Sequence, residues 1–212
     1  LAHGRGWGGT IDSKKIAAYL LDRSNGATML TIPLGHTLAA LRDVLGEVVE
    51  VSAVLATRRP TARALDTGET LPVTAPDQVL VSGVMASGAP LSIHYRGGQA
   101  RDGHGLLWEI NGTAGDLRLT GPSGHTQMVQ LSLEGVRGGE QAFRSLEVPA
   151  EYRTGWPADV IPGNVARVYA RMARDLREGT RTAPSFADAV ALHRVIDAVE
   201  RAAESGGRVA VR

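Results

Sequence analysis

The sequence predicts an α+β fold: an open-faced, mixed, largely antiparallel β-sheet with helices packed on one face. Three observations predict it. Five or six short strand-like segments are grouped between residues 47 and 135, most of them joined by short turns. Apolar residues recur at helical spacing before that group and after it. At 212 residues and 43% hydrophobic composition, the chain can bury a substantial core. Strands gathered in one block with helices outside it favour a sheet covered on one face.

Each element has its own justification. Residues 1–26 read as an irregular lead-in, and 27–212 as one α+β substrate-binding and oligomerisation domain. Gly4, Gly6 and Gly9 spell G-x-G-x-x-G. A dinucleotide fingerprint needs a strand before it and a helix after it, and only three residues precede Gly4, so the letters are discounted. Residues 33–46 predict a helix with Leu34, Leu38, Leu41 and Leu45 as its buried stripe. Pro33 suits the first helical position and Gly46 the stop. The alternative is a longer helix starting near Thr28 and kinked at Pro33. Residues 47–57 alternate, with Val49, Val51 and Ala53 on one face, and residues 58–76 read as an excursion loop. Strands at 78–87 and 90–97 flank a turn at Gly88. Residues 106–121 form a hairpin around Gly112 and Gly115, and 128–135 is a further strand. Val165, Val168, Tyr169, Met172 and Leu176 form the stripe of a helix with Asn164 as N-cap and Gly179 as its stop. The last helix spans 186–204, with Ser185 and Asp188 as a capping box and Leu192, Val195, Ile196 and Val199 as its stripe, and 209–211 is a short final strand. Helices on one face leave the other face open, which implies a covering subunit or domain.

Composition excludes several functions. Lys+Arg number 23 and Asp+Glu 22, so no charge excess points to nucleic acid or an anionic membrane. With no cysteine there is no disulfide, thiol catalysis or Cys-ligated metal, which fits a reducing, cytoplasmic setting. No apolar run reaches membrane-spanning length, and no signal-peptide pattern opens the chain. G-x-S-x-G, H-E-x-x-H and P-loop patterns are absent. Of the six histidines, His94 and His104 lack metal-ligand spacing to a carboxylate, and His193 reads as a surface residue. His36 stands apart. It falls in the first turn of its helix, off the leucine stripe, where the helix N-terminus lowers an imidazole pKa and offers N–H donors.

Three separated segments carry a family resemblance: AYLLDRSNGATMLTIPLGHTLAALRDVLGEV, WEINGTAGDLRLTGPSG and PSFADAVALHRVIDAVERAAESGGRVAV. They resemble, in the family's order, the C-terminal domain of the glucose–fructose oxidoreductase/inositol dehydrogenase (Gfo/Idh/MocA) family. The branch is the one sharing its C-terminal domain type with the yeast galactose-regulon repressor. The resemblance implies an open-faced substrate-binding and oligomerisation domain beside an N-terminal Rossmann domain, absent from this chain, that binds NAD or NADP. No cofactor is expected for this chain alone, and the chain is expected to be a fragment of a longer enzyme. The implied activity is hydride transfer at a CH–OH carbon of a sugar or polyol, with homo-oligomerisation through the open sheet face. The alternative is a non-enzymatic ligand-sensing or dimerisation module.

The resemblance also assigns residues. His36 and Gly26 fit a motif resembling G-G-x-x-x-D-x-G-x-H-x-x-D, which makes His36 the catalytic proton donor or acceptor. Ile32 and Ala39 stand where the motif has aspartates. A general acid–base histidine is usually oriented by a carboxylate, so the departure points to weaker catalysis or to hydroxyl binding alone. Thr31 offers a nearby hydroxyl. By analogy with the segment that lines the cleft between the family's two domains, Arg5, Trp7 and Lys14 are expected to meet substrate, and Asn164 to reach the same cleft.

Overall fold

In the computed structural model, which describes residues 2–7, 12, 14–101 and 103–212, the chain opens with β1 (Ala2–Trp7). Two 3₁₀ stretches follow, Lys15–Leu21 and Arg23–Asn25, and a π-helical turn, Leu30–Leu34, leads into α1 (Gly35–Leu45). The strands are then β2 (Val48–Ala56), β3 (Thr61–Arg63), β4 (Thr70–Pro72), β5 (Gln78–Met85), β6 (Pro90–Arg96), β7 (Leu106–Gly112), β8 (Gly115–Gly121), β9 (Ser132–Arg137) and β10 (Arg144–Ser145). The chain closes with α2 (Ala150–Arg153), α3 (Val160–Glu178), α4 (Phe186–Ser205) and β11 (Val209–Ala210). A nine-stranded sheet has the order β10-β9-β8-β7-β1-β6-β5-β2-β11. Only the β1–β6 pair is parallel, so the sheet is mixed and largely antiparallel, as expected.

The opening segment corrects the expectation of an irregular lead-in. Residues 2–7 are a central strand, parallel to β6 and antiparallel to β7. Its glycines have a packing role. A Cβ on Gly4 would lie 2.2 Å from the Trp108 ring, and one on Gly6 would lie 2.4 Å from Tyr95. The aromatic rings therefore lie flush on bare backbone, which explains the G-x-G letters without a nucleotide. Gly9 and the Trp7 side chain lie outside the described residues.

The core lies on one face of the sheet. Val79, Val81, Leu91, Ile93, Tyr95, Leu106 and Trp108 meet α1 through Leu38 and Leu41, and α4 through Val195, Ile196 and Val199. Ser185 and Asp188 form the expected capping box, with Asp188 Oδ2 accepting from the Ser185 amide at 2.8 Å. Three departures are local. Val49 was expected inside with Val51, but the β2–β5 register slips between Val48 and Glu50, so Val48 and Val51 face the core and Val49 faces out. Such a bulge flips one residue of the alternation. The segment 58–76, read as a loop, carries the small β3–β4 hairpin. The strand expected from 128 begins at Ser132.

The third helix departs further. Asp159 precedes it and Asn164 lies inside it, so Asn164 is not the N-cap. Its apolar stripe forms but stays uncovered: Val165, Val168, Tyr169, Met172 and Leu176 are all exposed, and Gly163 and Asp175 are the buried residues of the helix. Asp175 clasps the α3–α4 turn, accepting from Thr180 Oγ1 at 2.6 Å, Thr182 Oγ1 and N at 2.8 Å each, and Ala183 N at 2.7 Å. These donors hold its carboxyl well below the usual range. Among the described residues, no helix is long and apolar enough to cross a membrane, and no cluster of His, Asp and Glu could hold a metal ion.

Candidate functional site

The site begins with a proline. Pro33 has no N–H to return to Met29, so the Leu34 amide reaches that carbonyl instead, at 3.1 Å, and the helix start widens to a π turn. The widened turn presents Met29, Ile32 and Pro33 to a cavity and leaves His36 exposed at the start of α1. The longer, proline-perturbed helix weighed from the sequence is the form adopted.

Below α1, the buried Tyr95 joins two segments. Its hydroxyl is 2.6 Å from Thr37 Oγ1, next to His36, and donates to the Gly124 carbonyl at 3.1 Å, next to His125. Burial pushes this phenol up to about 12, so it remains a neutral donor. The segment that follows β8 is held at a second point, where Asn164 Nδ2 of α3 donates to the Gln127 carbonyl at 3.1 Å. Gly105 lets the same segment approach, since a Cβ there would lie 2.1 Å from the Pro122 carbonyl oxygen.

These contacts frame a cavity of about 340 Å³. His125 and Gln127 enter its wall from the clamped segment, Asp77 and Gly97 from the sheet end, Leu21 and Arg59 from the excursion side. Nδ1 of His125 and Oε1 of Gln127 are both buried and without a hydrogen-bond partner. Asp77 is engaged in holding backbone: its carboxylate accepts from the Arg58 and Arg59 amides at 2.8–3.0 Å. Desolvation by surrounding protein lowers the pKa of His36, although the residue is exposed at the surface. Burial lowers that of His125, and the nearby charge of His36 lowers it further. At neutral pH both imidazoles are therefore neutral and can each donate and accept a hydrogen bond.

The residues expected from the sequence fall in different places. His36 stands close enough to His125 for its charge to act there, and Asn164 acts on the site through the Gln127 backbone. Thr31 does not face the cavity. Its hydroxyl donates to the Gly26 carbonyl at 2.6 Å and accepts from the Thr28 amide at 2.8 Å, closing the turn before the π helix. Arg5 lies on the other side of the sheet, because a strand alternates and Gly4 and Gly6 take the core side. It lines the open face with Leu107, Glu109 and Arg118, away from His36. Lys14 is exposed and faces the excursion, where the Lys15 amide holds the Asp66 carboxyl below its usual range and the charge of Lys14 adds a little. Trp7 is placed only as the last residue of β1, paired with Arg96. Ile32, at the position of a motif aspartate, lines the cavity, and no carboxylate among the described residues orients His36. Sequence reasoning missed His125 and Gln127. Their signal was a Gly/Pro-bounded polar stretch, G-P-S-G-H-T-Q, directly after a hairpin.

Known proteins share this architecture. The chain is 26% identical over 259 residues to the galactose/lactose metabolism regulatory protein GAL80 of Kluyveromyces lactis, covering 92% of this chain and 57% of that protein. It is 27% identical over 190 residues to dehydrogenase aclE of Aspergillus oryzae, covering 87% of this chain and 49% of that protein. Levoglucosan dehydrogenase, solved in complex with NADH and L-sorbose, superposes with a TM-score of 0.77 at 23% identity, over all of this chain and 58% of that one. The chain thus spans between 49% and 58% of the length of these relatives. Residues 1–121 match the family described as Gal80p, C-terminal domain, and the chain belongs to that family, within the Gfo/Idh/MocA-type fold its three segments resembled.

Proposed function

We propose that the chain is the substrate-binding and oligomerisation domain of an NAD(P)-dependent oxidoreductase acting on a CH–OH group of a sugar or polyol. The observation that carries this reading is a cavity of ligand size with His125 in its wall and His36 near enough for its charge to act on that ring. In this role a ring nitrogen of His36 takes the hydroxyl proton as the carbon is oxidised, or returns it in the reverse direction. The dinucleotide, which would accept the hydride, does not fit the residues described. The glycines of β1 lie against Trp108 and Tyr95 inside the sheet and form no phosphate cradle. NAD or NADP would therefore sit on a separate N-terminal domain. Assembly would use the open sheet face, where the apolar side chains of Leu80 and Val54 stand exposed.

A second reading is a ligand sensor without catalysis. It is favoured by Ile32 and Ala39 at the motif's carboxylate positions, and by the regulatory relative. One experiment separates the two: steady-state turnover of a sugar and polyol panel with NAD⁺ and NADP⁺, on the intact parent protein and on His36→Ala. The enzyme reading expects turnover that falls by at least about a hundredfold in the variant. Cofactor binding without turnover of any panel member supports the sensor, and turnover unchanged by His36→Ala removes His36 from the chemistry.

A further inference from the structure

We propose that the cavity binds its ligand through a single carboxylate, held by the Arg59 guanidinium and the Tyr19 hydroxyl, so that an acidic sugar is preferred over a neutral one. The proposal rests on the reading that this cavity holds the chain's ligand, and it narrows the class of that ligand. Both side chains line the cavity. Arg59 is half exposed, and only its Nη2 is occupied, by the Asp12 carboxylate at 3.4–3.5 Å. An exposed pair at that distance is weak, and Asp12 has a nearer donor in the Arg63 amide, at 2.9 Å. Nε and Nη1 of Arg59 are therefore left for a ligand. Tyr19 is 55% exposed, and its hydroxyl is held by no other described residue.

The frame beneath these two side chains is fixed. The Leu21 carbonyl, at the end of the 3₁₀ stretch that carries Tyr19, accepts from the Thr74 and Ala75 amides at 2.9 and 3.0 Å. Asn25 Nδ2 donates to the Tyr19 carbonyl at 3.0 Å, and Asp77 accepts from the Arg59 amide at 2.8 Å. A ligand that pairs with both side chains then has little backbone to order. Among the described residues of the wall, Arg59 is the one cation and Asp77 the one anion. Asp77 is buried with its oxygens on the Arg58 and Arg59 amides, so it leaves the guanidinium free. Its charge still disfavours a second negative charge nearby. A monoanion fits this balance better than a phosphate, which carries more than one charge near neutrality. Leu21, Met29, Ile32, Pro33 and Ala75 offer apolar surface to the C–H face of a sugar ring. A carboxylate beside such surface needs a charged partner, and a charge-assisted bond from arginine is among the stronger ones available. The volume of about 340 Å³ has room for one ring of this kind.

Matched probes test this. Glucose, glucuronate and glucose 6-phosphate share one ring and differ in charge at a single carbon, and the galactose series gives a second set. Each is titrated into the isotope-labelled 212-residue chain, with the Arg59 Nε–H, the Tyr19 ring protons and the Met29 methyl followed by NMR. In at least one series the uronate is expected to shift all three and to bind about tenfold more tightly than its neutral sugar. Salt raised from about 0.02 to 0.5 M should erode that advantage and leave the neutral sugar unaffected. Arg59→Gln is expected to bring the uronate down to the level of the neutral sugar without changing the latter, and Tyr19→Phe to weaken the uronate severalfold. Both side chains are at least half exposed, so neither substitution opens the core, and the wild-type comparison decides the matter even if a variant does not fold. A neutral sugar that binds as tightly as its uronate on these resonances overturns the carboxylate and leaves the cavity as the binding site. A phosphate that binds more tightly than the uronate overturns the single charge. Movement of no cavity resonance with any probe overturns the site as well, and with it the reading on which the proposal rests.

Discussion

At the scale of single residues, one histidine of the site feels the charge of the other. Protein packed around His36 disfavours its charged form, and His125 carries the same penalty plus repulsion from His36. Both folded-state pKa values lie below the unfolded value of about 6.5. The unfolded chain then binds more protons than the folded one between those values. Their contribution to stability is therefore complete above about pH 6.5 and is lost as pH falls through the folded values. Following the imidazole Cε1 protons by NMR from pH 8 to 4 should give both midpoints below 6.5. Replacing His36 with Gln should move the His125 midpoint upward, toward but not reaching the free value, since burial remains. A His125 midpoint that does not respond to this substitution would show that the two rings are not coupled. His36 was legible in the sequence because helix position and motif agreed on it. His125 was not, because its significance lies in contacts far away in the chain: Tyr95 holding Gly124 and Asn164 holding Gln127. Thr31 was misjudged for a related reason. A hydroxyl near a motif reads as a ligand contact, whereas here the local backbone competes for it and wins.

At the scale of elements, periodicity was a good guide where it had the core to itself. The stripes of α1 and α4, the hairpin strands and the capping box at Ser185 all follow from local pattern. The failures share a cause, which is long-range packing overriding local letters. The strand β1 has only three side chains larger than alanine among its six residues and gives no strand signal. It becomes a strand because β6 and β7 leave a gap that only a thin backbone fills beneath Tyr95 and Trp108. This predicts the effect of restoring a methyl group. Gly6→Ala places a Cβ inside the Tyr95 ring, and overpacking of this kind costs about 1–3 kcal/mol. The expected outcome is a lower urea midpoint with little change in the slope. The Tyr95 ring should also be displaced, loosening its hold on Gly124. A variant as stable as the parent would mean that the ring is not pinned on β1. A Gly88→Ala change is not the right control, because Gly88 is itself at a positive φ of 83°; Ala86→Gly, at an exposed position, is a milder comparison.

At the scale of the whole molecule, two surfaces remain without cover, and they differ in character. The stripe of α3 is apolar, on a helix tied down by the Asn164–Gln127 bond and the Asp175 clasp. The open sheet face is broad and mixed. One row crosses seven strands in register, Val54, Leu80, His94, Arg5, Leu107, Thr120 and Ser132. It combines exposed apolar side chains with paired charges such as Arg118–Glu109, at 2.9 Å. An antiparallel sheet tolerates water on one face, so openness alone does not demand a partner. What favours one is the β2–β5 end of this row, where Leu80 and Val54 are 40% and 58% exposed. A second copy packed across the row would cover those leucine and valine side chains. A stable interface needs roughly 1,200–2,000 Å² in total, an area within reach of a nine-stranded sheet. Sedimentation equilibrium at micromolar concentration should then find twice the mass of 22.3 kDa. Leu80→Glu sets a carboxylate at the apolar end of the row and should return the chain to monomer, whereas Met172→Glu on α3 should leave the dimer intact. A wild-type monomer would remove the sheet face as a self-association surface. A dimer lost with Met172→Glu but kept with Leu80→Glu would move that interface to α3, and the open face would then be simply a solvated side of the sheet.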